Sequence, residues 1–239
     1  MRPVGAVLLA LARARQTSAH FGSQHPLTTR AIADAHEAVV RLVEQRGTLR
    51  VLIWEEVFYV EKMLLLEDSV RLDALLTDMT DRGVGLIEVR PGVQPWELGL
   101  FVDFLTLPLP EARRVGPLAF LRQQRVRHLI VRPVRVLADD ELAGVRRDPL
   151  DVYRAALRVV DDLFLRATNA MPLVLKRAHH VVATLIDVLR DDPVTLQAHA
   201  ACRAYDETSR HHPVNVAVVA LLVGLRAGLD RDRLVTLGL

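Results

Sequence analysis

The segment from Ala138 to Asp148 separates two parts of the chain that follow different hydrophobic patterns. Before it, short β-branched and aromatic runs alternate with helical patterns, whereas after Pro149 only helical patterns occur. The segment itself is charged and poor in bulky apolar residues, as is typical of a linker. We therefore predict an α+β protein with an N-terminal α/β domain at 1–137, a linker at 138–149 and an all-α region at 150–239.

The N-terminal domain is predicted to combine a small mixed sheet with five helices. Apolar residues at helical spacing predict helices at Val4–Arg15, Leu27–Gln45, Ser69–Arg82, Pro95–Leu107 and, with a break at a Gly-Pro pair, Glu111–Gln124. In the third of these helices, Ser69 is the expected N-cap. Runs of β-branched and aromatic residues predict strands at Thr48–Trp54, Val57–Val60, Val84–Val89 and Val126–Val136, and the first two are expected to form a hairpin.

The region after Pro149 is predicted to contain only helices, at Leu150–Ala167, Leu173–Arg190, Pro193–Tyr205, Pro213–Ala227 and from Asp230 onward. The last of these has an apolar face with no stop signal behind it, formed by Leu234, Val235, Leu237 and Leu239. An apolar helix face needs a surface to pack against, and the last helix carbonyls need hydrogen-bond partners. We expect either that the natural polypeptide continues past Leu239 or that another subunit covers this helix.

Charge and cysteine content argue against several classes of protein. The net charge is only +2 over 239 residues, so no general attraction to nucleic acid or to anionic membranes follows. The single Cys202 fits a reducing cytoplasm. Two arginines directly after Val4–Ala12 continue it as an amphipathic helix rather than a signal peptide. We predict a cytoplasmic protein with neither nucleic acid nor membrane among its partners.

The sequence most suggestive of function begins at Asp206. It reads DETSRHHPVNVAVV, which is an acidic pair, a hydroxyl-bearing stretch, histidines and a Val-Asn-Val-Ala run on a predicted helix. This order resembles the opening of HD-GYP domains, with His212 at the position of the family histidine. Helical stretches before and after it are also similar to that family, so the resemblance covers about the last 90 residues. Thr208, Ser209 and Pro213 differ from the family pattern, and neither a His-Asp nor a Gly-Tyr-Pro sequence occurs in the chain.

The resemblance implies a metal-dependent phosphodiesterase that acts in cyclic di-GMP signalling with iron or manganese as the divalent metal. It implies that His212 is a metal ligand and that the other ligands lie beyond Leu239. These 239 residues are then expected to be a regulatory N-terminal part that binds no metal and is inactive alone. The first domain would sense a signal or form a homodimer. The alternative is a non-enzymatic dimerisation or interaction module, whose final helix packs against another subunit.

The other histidines are predicted to be structural. His179 and His180 are adjacent on a helix, so their side chains point about 100° apart and do not converge on one ion. His20, His25 and His36 cluster around a loop, but no carboxylate or cysteine lies at ligand spacing from them. A solvated loop is the better interpretation of this cluster.

Overall fold

The computed structural model describes residues 3–54, 57–133, 147–173, 175–202 and 211–239. In chain order its elements are α1 (Pro3–Phe21), α2 (Pro26–Arg46), β1 (Leu49–Trp54), β2 (Val57–Val60), β3 (Met63–Leu64), α3 (Leu66–Arg71), α4 (Asp73–Asp81), β4 (Leu86–Val89), α5 (Pro95–Thr106), α6 (Leu109–Val115), α7 (Pro117–Gln123), β5 (Leu129–Arg132), α8 (Pro149–Thr168), α9 (Leu175–Asp191), α10 (Pro193–Cys202), α11 (His211–Arg226) and α12 (Arg231–Gly238). The predicted α+β class with a helical second part is confirmed.

The chain forms two compact units. Unit 1 comprises Met1–Leu65 and Leu72–Val145, and unit 2 comprises Leu66–Arg71 and Arg146–Leu239. Unit 2 therefore includes α3, which the sequence-based division placed in the first domain. The predicted linker at 138–149 falls outside the described residues up to position 146, as does the end of the predicted strand at 134–136.

In the described part of unit 1, the sheet has five strands in the order β3-β2-β1-β4-β5. Every neighbouring pair is antiparallel, so the prediction of a mixed sheet is wrong. Val51 in the central strand pairs with Val60 on one side and with Ile87 on the other. β4 follows β1 in the chain after β2, β3 and two helices, and it pairs with β1 in the opposite direction. The predicted hairpin between β1 and β2 is confirmed, with Trp54 opposite Val57.

One face of this sheet packs with residues of α1, α2, α4, α5, α6 and α7 in the core of unit 1. Alternate strand residues such as Val51, Ile87 and Val131 belong to one buried cluster with residues of α1, α2 and α5. Phe101 and Phe104 of α5 are fully buried in that cluster. Burying a side chain of this size stabilises the fold by roughly 1.5–3 kcal/mol, so α5 is a main contributor to the core.

The boundaries of α2 illustrate how local chemistry sets the elements. Pro26 occupies the first turn, and the Nδ1 of His25 accepts a hydrogen bond from the Leu27 amide at 3.2 Å. The helix ends at Gly47, whose φ of 81° lies in the left-handed region that glycine adopts without strain. The predicted helix at Leu27–Gln45 is thus confirmed to within one residue at each end.

The predicted helix from Ser69 to Arg82 is wrong in two respects. The structure has two helices, α3 and α4, which are separated at Leu72. Ser69 is not an N-cap, because it lies inside α3 and is buried. The amides at the start of α3 are instead capped by Asp151, which follows 85 residues after Leu66.

Unit 2 is helical in its described residues, and its buried apolar residues come from α3, α8, α9, α10, α11 and α12. The predicted helices at 150–167, 173–190 and 213–227 are confirmed with small shifts of their ends. Asp230 caps α12 by accepting a hydrogen bond from the Arg233 amide at 2.9 Å. Within the described ranges, no helix combines the length and apolar character needed to cross a bilayer.

Candidate functional site

The segment that resembles HD-GYP domains includes α11, which begins at His211 and places His212 in its first turn. Pro213 is compatible with this position because the first amides of a helix have no intrahelical acceptor. The buried side of α11 consists of Val214, Val218, Leu221 and Gly224. The packing of these residues within unit 2 therefore determines which residues of α11 face solvent.

A small polar contact joins the start of α11 to α8. Tyr153 of α8 is fully buried, and its hydroxyl donates a hydrogen bond of 2.8 Å to Oδ1 of Asn215. The ring of Tyr153 also stacks on that of His211, with centroids 6.5 Å apart and an interplanar angle of 20°. The buried Nδ1 of His211 has no hydrogen-bond partner among the described residues. These contacts set the position of the helix turn that carries His212.

His212 itself is exposed and lies on the side of α11 away from the buried residues. Val216, Val219 and Val223 follow it at intervals of four, three and four residues, and they are 51%, 57% and 63% exposed. Such spacing places side chains in a narrow stripe of the width that one neighbouring helix covers. We call His212, Val216, Val219 and Val223 the outer seam.

The other end of α11 packs closely on α12. A Cβ added at Gly224 would lie 2.8 Å from Cδ2 of Leu234 and 2.9 Å from Cδ2 of Leu237. Leu234 is fully buried, whereas Leu237 and Leu239 are exposed. The apolar face predicted for the final helix is therefore partly buried within unit 2.

The predicted metal ligand has no companions among the described residues. No group of three His, Cys, Asp or Glu side chains that could hold a metal ion occurs in the ranges that the structure describes. Asp206 and Glu207, the acidic pair before His212, lie outside those ranges. Since metal sites use at least three protein ligands, His212 alone supplies one donor of an incomplete set.

His20, His25 and His36, which the sequence places close together, each contact a different backbone group. His20 Nδ1 lies 2.9 Å from the Gln16 carbonyl, and His36 Nε2 lies 2.9 Å from the Val93 carbonyl. His25 caps α2, as described above. In α9, His179 is exposed and its neighbour His180 is partly buried.

Two of the buried carboxylates, Asp151 and Glu97, accept hydrogen bonds from backbone amides and were not identified from the sequence. Asp151 is 5% exposed, and its Oδ2 accepts hydrogen bonds from the amides of Leu66 at 3.0 Å and Glu67 at 3.4 Å. Asp151 and Glu97 both lie in predicted helices that contain other polar residues, so no local sequence pattern distinguishes these two acids. Only the fold brings their hydrogen-bond donors together.

The second buried carboxylate, Glu97 in α5, is fully buried and connects that helix to β5. Its Oε1 accepts from the amides of Arg127 at 2.7 Å and His128 at 3.0 Å. Its Oε2 accepts from the Gln94 amide at 2.9 Å and lies 3.1 Å from Nδ1 of His128. Burial raises the pKa of Glu97, but the hydrogen bonds from His128, Arg127 and Gln94 together outweigh burial and lower it below its ordinary value. Glu97 thus remains ionised and holds the fold together, and its bonds to three backbone amides fit a structural role.

Comparison of the chain with protein-family models, with curated proteins and with solved structures gives no significant match. The residues that bear on function are therefore those at the contact of α8 with α11 and those of the motif that begins at Asp206.

Proposed function

We propose that this chain is the regulatory N-terminal part of an HD-GYP-like, metal-dependent phosphodiesterase in cyclic di-GMP signalling in the cytoplasm. In this proposal α8 to α12 are the first helices of the HD domain, and His212 contributes one imidazole nitrogen to its metal centre. Iron or manganese bound there would activate water and stabilise the phosphoryl charge. The described residues supply only this one donor, so we assign no catalytic step to the chain itself.

The observation that carries this proposal is the outer seam. A surface helix normally turns its polar side to solvent, but here three valines accompany His212 on the exposed side of α11. A helix packed along this seam would bury the valines and bring its own side chains next to His212. The proposal assigns that helix, with the remaining metal ligands, to polypeptide outside these 239 residues.

The experiment compares the 239-residue chain with a longer polypeptide from the same reading frame. Metal content and manganese- or iron-dependent hydrolysis of cyclic di-GMP are measured for both proteins. We expect turnover only from the longer protein, and we expect His212→Ala to abolish it and to lower the bound metal. His179→Ala is the matched control, because His179 is also an exposed helical histidine, and it should leave both quantities unchanged.

Two results would contradict the proposal. One is metal-dependent hydrolysis by the 239-residue chain alone. The other is a longer protein whose His212→Ala variant keeps its full metal content and turnover.

The outer seam also favours a second candidate function, a non-enzymatic dimerisation module. In that case the seam of a second copy would cover Val216, Val219 and Val223, and the chain would form a dimer at low micromolar concentration. Light scattering on the chain and on Val219→Asp separates the two candidates. A dimer that Val219→Asp converts to a monomer supports the module, whereas a monomeric wild-type chain supports the phosphodiesterase fragment.

A further inference from the structure

The sheet of unit 1 has a group of charged residues on the face opposite the core. Ile87 and Val89 of β4 belong to the buried cluster, so Glu88 between them lies on the other face. Arg50 of β1 is the direct cross-strand partner of Glu88. Arg90 follows two residues after Glu88 and points to the same face. We call Arg50, Glu88 and Arg90 the charged triplet.

Glu88 is a buried carboxylate that both arginines bind. Its side chain is 8% exposed, whereas the side chains of Arg50 and Arg90 are 53% and 50% exposed. Nε of Arg50 donates to Oε2 of Glu88 at 3.1 Å, and Nε and Nη2 of Arg90 each lie 2.8 Å from Oε1. Burial raises the pKa of Glu88, but Arg90 and Arg50 together outweigh burial and lower it below its ordinary value. The carboxylate thus stays ionised and holds two guanidinium groups in place at the surface.

This face of the sheet carries more positive charge than Glu88 needs to balance it. One guanidinium would be enough, but two bind the carboxylate. The exposed Arg132 of β5 lies opposite Leu86, which places it diagonal to Glu88 on the same face. Among the described residues of the five strands, Glu88 is the one acid. The three arginines and this acid therefore leave an excess of two positive charges.

Both arginines of the charged triplet have donor groups that no described residue uses. Arg50 binds Glu88 through Nε, which leaves its two Nη groups, and Arg90 retains Nη1. A guanidinium presents its donors in a planar fork that fits two oxygens of a phosphate group. A phosphorylated hydroxyl carries about −1.5 to −2 charges at neutral pH. The remaining donors and the excess charge thus both match a phosphate group.

We propose that the charged triplet and Arg132 form a binding site for the phosphate group of a small soluble ligand. The remaining Nη donors of Arg50 and Arg90 bind the phosphate oxygens, and Arg132 adds positive charge beside them. Glu88 does not touch the ligand; it is a positioning residue that orients both arginines. The site lies within unit 1 and involves neither His212 nor a metal, so the inference does not depend on the proposed phosphodiesterase function.

Pyrophosphate is the probe, and the readout is the urea unfolding midpoint of the 239-residue chain at an ionic strength held constant with KCl. Tryptophan fluorescence reports on unit 1, because Trp54 and Trp96 both belong to it. A ligand that binds only the folded state raises the midpoint, and the dependence on pyrophosphate concentration gives the Kd. We expect Arg50→Lys, which keeps the charge but loses the planar fork, to raise the Kd by about ten-fold. Arg41→Lys is the matched control, because Arg41 is an exposed arginine of α2 that pairs with Glu37, and it should leave the Kd unchanged.

Glu88→Gln separates a positioned site from a diffuse basic surface. The substitution makes the surface more positive, so nonspecific attraction would lower the Kd, whereas loss of the positioned guanidinium groups should raise it by about five-fold. Glu37→Gln is its control and should have no effect. If Glu88→Gln does not fold, Arg90→Lys takes its place and should also raise the Kd.

Three results would overturn the proposal. The first is a midpoint that pyrophosphate raises no more than KCl does. The second is an unchanged Kd in Arg50→Lys or in Arg90→Lys. The third is an unchanged or lower Kd in Glu88→Gln. None of these measurements involves metal content or hydrolysis, so failure here is distinct from failure of the proposed function.

Discussion

Replacement of Glu97 by glutamine is expected to destabilise unit 1 strongly. The carboxylate is fully buried and receives three backbone amides and the Nδ1 of His128. Glutamine keeps one acceptor oxygen and places an NH2 group where Oε2 now accepts the Gln94 amide. An unsatisfied buried donor costs about 1–3 kcal/mol, and the remaining bonds lose the extra strength given by the ionised acceptor. We expect a loss of about 2–4 kcal/mol, which is a large share of the 5–15 kcal/mol typical of a domain.

Tryptophan fluorescence during urea unfolding measures this loss in unit 1 alone. The chain has two tryptophans, Trp54 and Trp96, and both belong to unit 1. A loss of this size lowers the unfolding midpoint by about 1–2 M urea for a domain of ordinary size. Glu111→Gln is the matched control, because Glu111 is exposed in the first turn of α6, and it should shift the midpoint very little.

The pH dependence of the same substitution provides a second check. Because the folded pKa of Glu97 lies below its ordinary value of 4.5, its stabilising effect is fully present above pH 4.5. That effect is lost as the pH falls through the lower folded-state pKa, so the difference between wild type and Glu97→Gln should shrink under acid conditions. A Glu97→Gln variant with an unchanged midpoint at pH 7, or a difference that grows on acidification, would refute the assignment of these hydrogen bonds.

Three further variants each test one local feature, which is either a hydrogen bond or a backbone conformation. Tyr153→Phe removes the hydroxyl that bonds to Asn215 and should destabilise unit 2 by about 1–2 kcal/mol, seen as faster hydrogen exchange in α11 with an unchanged tryptophan unfolding curve. Glu61→Asn with Lys62→Gly should stabilise the β2–β3 hairpin by about 1 kcal/mol in thermal unfolding, because both residues now have positive φ, 50° and 64°. Gly92→Ala should lower stability by at least about 1 kcal/mol, because a Cβ is strained at its φ of 91°; an unchanged melting temperature would contradict that.

The elements that local patterns determine were predictable from the sequence. The residues that start and end α2, Pro26 and Gly47, are next to the helix in sequence, so the helix was predicted to within one residue at each end. The β1–β2 hairpin was predicted for the same reason, since both strands and the residues between them are contiguous. Glycine, proline and alternating apolar residues act over a few positions, which is the range that a sequence pattern covers.

The features that were missed depend on partners distant in sequence. α3 ends at Arg71 and is capped by Asp151, so neither the break before α4 nor the role of Ser69 follows from the residues near it. β4 pairs antiparallel with β1 although β2, β3, α3 and α4 lie between them in the chain, and the composition of neither strand indicates the direction of that pairing. The contact of Tyr153 with Asn215 spans 62 residues, and no local pattern indicates that these two residues meet.

The position of the uncovered apolar surface in unit 2 changes what a partner must contact. The sequence pointed to the face of the last helix that contains Leu234 and Leu237. In the structure Asp230 caps that helix, Leu234 is fully buried and Gly224 lets the two helices approach closely. The longer exposed stripe is the outer seam of α11, which runs from His212 to Val223. A partner that covers this seam must therefore also pass over the histidine, whether that partner is a helix of the same polypeptide or a second copy. Dimerisation through the seam and metal binding at His212 from additional helices thus exclude each other on one chain, because both require the same surface.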